Sequence, residues 1–421
     1  MTEKLLHFIW QFQYLNRTEL CTKEGEPVEI GFQGHYNSNQ GPDFSDAKIR
    51  IGKTTWAGTV ELHIKTSDWA KHHHQEDKNY RNVILHVVWE DDGWQNDIPV
   101  LELQGRVSGI LLQRYEELMY AGSFIPCEKT VQLVPELTWK SWKDRLLIER
   151  LLRKARLAEN YLQENNHHWE ETFWWLLARN FGMRINADAF EAIARSLPLG
   201  ILGKHKSHIH QLEALLMGQA GLLEREFKEA YPQRLQEEYK FYKNKYSLQP
   251  GSNPVFFLRM RPGNFPTIRL AQLAVFLQHS DHLFMKIKET DSLKNVKTWL
   301  DITASDYWHY HYCFDEETAF KEKKLGESMI TNIIINTLAP LLFTYGRYHN
   351  ENHYKEKAVD WLEGTAAESN SITNRFQQLG IINKTAVDSQ ALIELKNEYC
   401  NKKRCLECGI GNSILKVVPQ P

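Results

Sequence analysis

Four ionisable side chains near the start of the chain have the types and spacing that metal-assisted hydrolysis needs. Asp43 follows Pro42 and precedes an alternating apolar run, and Glu61, His63 and Lys65 occupy every second position of the next such run. Side chains two residues apart share a face of a strand, so these three groups would point the same way. If a hairpin places Asp43 beside Glu61, two carboxylates converge on a hard cation with basic groups close by. The pattern predicts a Mg²⁺ or Mn²⁺ site for phosphodiester hydrolysis; the alternative is a solvated strand face of an antiparallel sheet.

The same residues resemble the signature of the PD-(D/E)XK, or restriction-endonuclease-like, superfamily. Pro42-Asp43 and Glu61 match its two metal ligands, His63 stands where its lysine is expected, and Lys65 lies one pleat further along as a substitute. The resemblance implies a core of one helix, three strands, a second helix and a fourth strand. After a helix-like opening, the matching parts of this chain are strand-like runs near 27–36, 44–52 and 55–65, a polar stretch at 69–80 and a strand-like run at 82–89.

A group of histidines follows in the polar stretch. His72, His73 and His74 are consecutive, and Asp77 comes four residues after His73, which would place that pair on one face of a helix. A His–Asp pair can bind a transition metal or donate a proton to a leaving group. The alternative is an exposed helix start with partly stacked imidazoles. His86 lies within an apolar run, where a buried, hydrogen-bonded histidine is expected more often than a ligand.

The C-terminal segment contains three of the six cysteines. Cys400 is followed by the Cys405-x-x-Cys408 pair, a spacing at which thiolates bind zinc or an iron–sulfur cluster. Neighbouring cations are expected to lower the pKa of these thiols. Some restriction-endonuclease-like nucleases are similar, with one cysteine before the nuclease core and three near the C-terminus around an iron–sulfur cluster. The alternative is a set of reduced cysteines in a tail turn. The candidates for a fourth ligand are Cys21, Cys127 and Cys313.

Length and composition predict an α+β protein of more than one domain. A chain of 421 residues is too long for one simple core, and the character of the sequence changes near residue 125. We predict a nuclease-like domain at 1–125, a mixed sheet flanked by helices, and a large all-helical domain at 126–421 that ends in the cysteine cluster. No run approaches the roughly 18 apolar residues of a membrane span, and the apolar run 327–345 is polar at its ends. The opening residues lack a signal-peptide pattern, and sparse cysteine suits a reducing cytoplasm.

Nucleic-acid contacts would have to come from local positive charge, because the net charge is −2. Arg259, Arg261 and Arg269 alternate with Phe and Pro ahead of a predicted helix. Guanidinium groups beside a helix N-terminus suit phosphate, which predicts a nucleic-acid-binding role. The alternative is that these arginines fix helix ends through hydrogen bonds to carbonyl groups. Protein partners are not predicted.

Over its full length the chain resembles a bacterial family, domain-of-unknown-function family 2851. The similarity implies little about activity, because the family name describes none. The segments that carry the resemblance are GPDFSDA, WAGTVELHIKTSDW, NVILHVVW, EALLMGQAGLL, LRMRPGNFPTIRLAQL, LLFTYG and YCNKKRCLECGIG.

The leading hypothesis from the sequence is a cytoplasmic Mg²⁺-dependent nuclease that acts on DNA or RNA. In it Asp43 and Glu61 hold the metal, and His63 or Lys65 positions the attacking water. The alternative is a non-catalytic nucleic-acid-binding or assembly protein with a degenerate nuclease fold. A third possibility is a metallohydrolase of another substrate, which retains zinc or manganese through His72, His74 and Asp77.

Overall fold

The computed structural model describes residues 1–37, 39–95, 97–249 and 253–416. The chain forms two compact units. The first contains Met1–Trp142 together with the C-terminal segment from Leu395, and the second contains Lys143–Glu394. The C-terminal cysteines therefore belong to the same unit as the N-terminal sheet, whereas the sequence placed them in a helical domain at 126–421. The boundary after residue 125 stays a prediction.

The first unit is built on a mixed sheet, and the predicted α+β class is confirmed. The strands follow the order β1-β3-β4-β5-β6, with β2 paired to β3 outside this path. Pairs among β1 to β4 are antiparallel, whereas β4 pairs with β5, and β5 with β6, in parallel. The strands are β1 Val28–Phe32, β2 His35–Tyr36, β3 Phe44–Ile51, β4 Thr54–Lys65, β5 Val83–Glu90 and β6 Val100–Glu102.

Helices complete the first unit. The first helix packs Leu6, Ile9 and Trp10 into one core cluster with the inner residues of β3, β4 and β5, because its apolar residues recur at helical spacing. The last helix of the unit adds Leu415 to this cluster. These helices are α1 Glu3–Phe12, α2 Asp68–Lys71, α3 Gly109–Tyr120 and the beginning of α4 Glu136–Glu164, with α19 Gly409–Lys416 near the C-terminus.

Two irregularities in the sheet set the register around the acids. The pairing of β3 with β4 shifts between Phe44 and Ala47, where Asp46 has a φ of 58°, as in a β-bulge. The shift leaves Phe44 opposite Val60. On the other side of β4, a Cβ on Gly58 would lie 2.6 Å from the carbonyl oxygen of Asn82, so only glycine allows this approach.

The connection from β4 to β5 is irregular rather than helical. The helix expected over 69–80 ends at Lys71, and a short 3₁₀ turn follows at Lys78–Tyr80. His73 has a left-handed backbone conformation with a φ of 57°, which stops the helix. The prediction that His73 and Asp77 share a helical face is therefore wrong.

The second unit is helical and has its own core. It contains most of α4, and a buried cluster joins side chains from most of its helices. The remaining helices are α5 Trp169–Phe181, α6 Met183–Ser196, α7 Leu199–Leu202, α8 Ile209–Gln219, α9 Ala230–Lys245, α10 Pro266–His279, α11 Leu283–Glu289, α12 Leu293–Trp299, α13 Asp306–His309, α14 Glu327–Ile333, α15 Ala339–Tyr348, α16 Asn352–Glu363, α17 Ser371–Gln378 and α18 Ala386–Glu394.

One helical stretch of this unit meets the length and composition of a membrane span. It consists of α14 and α15 joined by a π-helical segment at Ile334–Leu338. This stretch, Glu327–Tyr348, is 22 residues long and contains an 18-residue window with a mean hydropathy of 1.3. The sequence predicted that the run 327–345 is too polar at its ends for a membrane span, and its composition shows that this prediction is wrong. However, 78% of the window is buried inside the protein, as in the core helix of a globular domain.

Candidate metal centre

The two acids predicted to form the site lie side by side. The backbone N–H of Asp43 donates to Oε2 of Glu61 at 3.0 Å, and the N–H of Leu62 donates to Oδ2 of Asp43 at 3.0 Å. These reciprocal bonds follow from the pairing of Phe44 with Val60, which places the residue before β3 opposite Glu61 on β4. The structure thus brings together the two carboxylates that the sequence selected.

Glu61 is in an environment that opposes a bare negative charge. Only 5% of the residue is exposed. Burial, followed by the charge of Asp43, raises the pKa of Glu61 to about 9, although the hydrogen bond from the Asp43 N–H acts in the opposite direction. Without a cation, the acid pair therefore holds a proton at neutral pH.

Histidine nitrogens surround the free oxygen of this carboxyl group. Nε2 of His63 lies 3.5 Å from Oε1 of Glu61, and Nε2 of His74 lies 3.3 Å from the same oxygen. The two Nε2 atoms are 3.3 Å apart, and Nδ1 of His72 is 3.1 Å from Nε2 of His63. The ligand atoms of the three histidines all lie within 4.8 Å of one another. We call His63, His72, His74 and Glu61 the histidine centre.

The spacing in the histidine centre matches the coordination of a transition metal. With metal–nitrogen and metal–oxygen bonds of about 2.0–2.1 Å, atoms at the corners of a tetrahedron lie about 3.3–3.4 Å apart. The triangle of Glu61 Oε1, His63 Nε2 and His74 Nε2 has edges of 3.5, 3.3 and 3.3 Å. One cation above this triangle would contact all three atoms at normal bond lengths.

Burial holds the imidazoles of His63 and His74 in the neutral form that metal binding requires. Burial, together with the neighbouring His86, His74 and His72, lowers the pKa of His63 to about 2, and burial also lowers the pKa of His74. Burial likewise lowers the pKa of His86 to about 4. Nδ1 of His63 is 2.9 Å from Nε2 of His86. If that Nδ1 carries the proton, His86 fixes the tautomer in which Nε2 of His63 presents a lone pair to a metal.

The segment after β4 directs two of its three histidines into this centre. The left-handed residue His73 reverses the chain, so that His72 and His74 both approach His63 while His73 is exposed. The Tyr80 ring stacks on His74 with centroids 3.8 Å apart, and Trp69 contacts both rings edge-on. His72 is exposed, so the centre opens to solvent on that side.

A further histidine contacts the acid pair and was not selected from the sequence. Nε2 of His7, on α1, lies 3.2 Å from Oδ2 of Asp43. The sequence shows only a polar residue among apolar ones in the first helix, and its contact with Asp43 depends on how α1 packs on the sheet.

Asp77, the third ligand of the predicted zinc or manganese site, caps a turn, where its carboxylate accepts the N–H of Asn79.

Lys65, the predicted substitute for the catalytic lysine, lies at the C-terminal end of β4. It is the last residue of β4, pairs with Glu90 of β5, and its N–H donates to Asp68. The ammonium group of Lys65 lies near Asp92. The pKa of Asp92 is lowered mainly by a hydrogen bond from Ser67, and the charge of Lys65 lowers it as well. The prediction that Lys65 positions the water stays a prediction.

The three arginines proposed for nucleic acid have different environments. Arg259 and Arg261 are exposed, and their predicted role stays a prediction. Arg269 is only 7% exposed, and its guanidinium donates to Asn264 at 2.6 Å and to Gln272 at 2.9 Å. Burial lowers the pKa of Arg269 to about 10. These bonds fix the buried guanidinium at the first turn of α10, which favours the alternative role of securing a helix end over contact with nucleic acid.

The C-terminal cysteines form a second cluster in the first unit. Cys400, Cys405 and Cys408 line one cavity, and the fourth cysteine on its wall is Cys127. The sequence offered this residue only as one of three candidates. Cys21 is exposed, and Cys313 belongs to the second unit.

Comparison with known proteins gives one match. A family profile described as "Protein of unknown function (DUF2851)" matches residues 3–371. Neither a curated protein nor a solved structure is found to match the chain.

Proposed function

The chain belongs to the DUF2851 family, and from its histidine centre we propose that it is a divalent-metal hydrolase of phosphodiester bonds, a nuclease acting on DNA or RNA. The observation that carries the proposal is the triangle of Glu61 Oε1, His63 Nε2 and His74 Nε2, with edges of 3.3–3.5 Å. Beside it stands a second carboxylate, Asp43, as in sites where two acids and a cation activate water.

The order of elements supports a restriction-endonuclease-like core. The first helix is followed by strands β1 to β4, a largely irregular connection that begins with the four-residue α2, and β5 in parallel with β4; the short β2 is one strand more than the resemblance implies. Asp43 immediately precedes β3, and Glu61 lies on β4. These are the positions at which the superfamily resemblance places its metal ligands. The departure is at the lysine position, where His63 is present.

Each residue of the site has a distinct role in this proposal. A cation bound at the centre would lower the pKa of water and stabilise charge on the phosphate oxygens. Glu61, His63 and His74 would hold the cation, and His86 orients the His63 ring from behind. Asp43 accepts a proton from water, since its carboxylate is held in place by the Leu62 N–H and by His7.

The donor set favours Mn²⁺ or Zn²⁺ over Mg²⁺. Magnesium prefers oxygen ligands and octahedral geometry, whereas imidazole suits zinc and other transition metals. Two or three nitrogen donors beside one carboxylate oxygen thus change the cofactor expected from the acids alone. Exposed His72 can bind the metal or leave its place to substrate.

A non-catalytic role for the same centre is the second candidate, and the number of donors favours it. If His72 binds together with Glu61, His63 and His74, four protein ligands fill the coordination sphere, as in structural metal sites. In that case the cation would stabilise the fold of the first unit, and the protein would bind nucleic acid or a partner without cleaving it.

Metal content and hydrolysis together test the proposal. The protein is stripped with chelator, reloaded with Mn²⁺, Zn²⁺ or Mg²⁺, and assayed on bis(p-nitrophenyl) phosphate and on single- and double-stranded DNA and RNA. Glu61→Ala and His74→Ala should abolish hydrolysis and lower metal content. His73→Asn is the matched control, because His73 is exposed between two centre residues and asparagine tolerates its left-handed backbone.

The result separates the two candidates. Metal retained at the centre with no hydrolysis of any of these substrates would support the non-catalytic role. Hydrolysis that persists in both Glu61→Ala and His74→Ala would refute the assignment of the site.

A further inference from the structure

Three cysteines of the C-terminal segment meet Cys127, which lies more than 270 residues earlier in the sequence, at one cavity of the first unit. Apart from the cysteines, the cavity is lined mainly by apolar side chains, among them Ile125, Trp139 and Ile410. Cys405 and Cys408 are buried, with 7% and 6% of their surface exposed. The cysteines that line this cavity are Cys127, Cys400, Cys405 and Cys408.

The local backbone is built to present these sulfurs. A π-helical turn ends at Cys400, and Lys403 then takes a left-handed conformation with a φ of 50°. A 3₁₀ turn begins at Cys405 and brings the Cys408 N–H to the Cys405 carbonyl at 3.3 Å. A Cβ on Gly411 would lie 2.2 Å from that carbonyl oxygen, so glycine allows α19 to pack against the turn.

Burial opposes ionisation of these thiols. All six cysteines of the chain are present as thiols. Burial, with a smaller contribution from the nearby Cys408, raises the pKa of Cys127 and of Cys405 to about 12. Burial and the three other cysteines of the cavity also raise the pKa of Cys400. The expectation that neighbouring cations would lower these values is wrong, because burial outweighs Lys396 and Lys403.

A bound cation reverses this balance. Metal ions deprotonate coordinating thiols outright, and four thiolates around one centre then attract the ion instead of repelling one another. Four cysteine ligands complete the coordination of a structural zinc ion or of an iron–sulfur cluster, with no position left for substrate. The apolar walls exclude water, which also suits a closed site.

We propose that Cys127, Cys400, Cys405 and Cys408 bind one structural metal centre, either a zinc ion or an iron–sulfur cluster, that fastens the C-terminal segment to the loop before α4. The two alternatives share the same four thiolate ligands. The centre is separate from the histidine centre in its ligands and is independent of the proposed hydrolase function. It also explains why a segment beyond residue 394 folds with the N-terminal sheet.

The first measurement is the metal content of the full-length protein purified without oxygen. One equivalent of zinc that is retained by the His74→Ala variant, with no visible absorbance, supports the zinc form. Iron with acid-labile sulfide and a broad absorbance near 400 nm supports the cluster form. Mercurial titration of the wild-type protein, followed with a metal indicator, should release the metal as these thiols are consumed.

Substitutions assign the ligands. Cys127→Ser and Cys408→Ser should each lose at least nine-tenths of this metal, whereas Cys21→Ser, at an exposed cysteine outside the cavity, should lose none. Because a ligand variant can misfold, far-UV circular dichroism and the mercurial titration of the wild type accompany the comparison. His74→Ala should leave the cysteine-bound metal in place, which distinguishes this centre from the histidine centre.

Three results would overturn the proposal. One is wild-type protein without zinc or iron after oxygen-free purification and after reconstitution with either metal. Another is a disulfide among these cysteines in protein purified without oxygen. The third is unchanged metal content in Cys127→Ser, which would remove the fourth ligand.

Discussion

Replacing Glu61 by glutamine should make the metal-free protein more stable at alkaline pH. The folded state holds a proton on the acid pair because the pKa of Glu61 is raised to about 9, whereas an unfolded glutamic acid ionises near pH 4.5. A raised pKa means that this contribution is complete below pH 4.5 and is lost as the pH rises towards 9. Glutamine is neutral at every pH and fits the same space.

The size of the effect follows from proton linkage. Between pH 7 and 9 the folded state binds one proton more than the unfolded state at this site, so the free energy of unfolding falls by about 1.4 kcal/mol per pH unit. From pH 7 to 8.5 the wild type should therefore lose about 2 kcal/mol relative to Glu61→Gln. His63, His74 and His86 do not contribute in this window, since their pKa values are lowered.

The assay is urea unfolding in chelator at pH 7.0, 7.5, 8.0 and 8.5, with both proteins measured at each pH. Other titrating groups are common to the two proteins and cancel in the difference. Added Mn²⁺ or Zn²⁺ should reverse the order, because the wild-type carboxylate then gains a cation and glutamine cannot replace it. A difference between the two proteins that does not change with pH would refute the reasoning about Glu61.

Three further predictions concern packing and hydrogen bonding. Gly218→Ala should lower the free energy of unfolding, measured in urea, by at least about 2 kcal/mol, because its Cβ would lie 2.1 Å from the Tyr239 ring. A loss below about 0.5 kcal/mol would show that α8 and α9 separate freely. Glu213→Ala should lower the free energy of unfolding by about 3 kcal/mol or more, because the buried Trp308 indole N–H and two hydroxyl groups lose their acceptor. Glu213→Gln should recover part of this loss, and equal losses in the two variants would contradict the hydrogen-bond argument. His86→Phe should weaken metal binding 10–100-fold in chelator competition through loss of the tautomer partner, and unchanged affinity would exclude that role.

The sequence by itself determined the elements and the two acids. Period-2 alternation located β3 and β4 within a few residues, and a continuous apolar run located β5, because β3 and β4 bury mainly one face and β5 buries both. Alternation also placed Glu61 and His63 on one face, and the Pro-Asp pair at the start of β3 selected Asp43. Cysteine spacing indicated a thiolate site, since two cysteines three residues apart can bind the same metal.

Only the tertiary structure decided which other groups meet these residues. One left-handed residue, His73, turns His72 and His74 towards His63, and no periodic pattern predicts a single such residue. The packing of α1 brings His7 to Asp43, and burial assigns Arg269 to the protein interior. Cys127 was one candidate among three until the chain folded, because its partners lie more than 270 residues away in sequence. Local propensity acts over a few residues, whereas a site depends on which distant segments share a core.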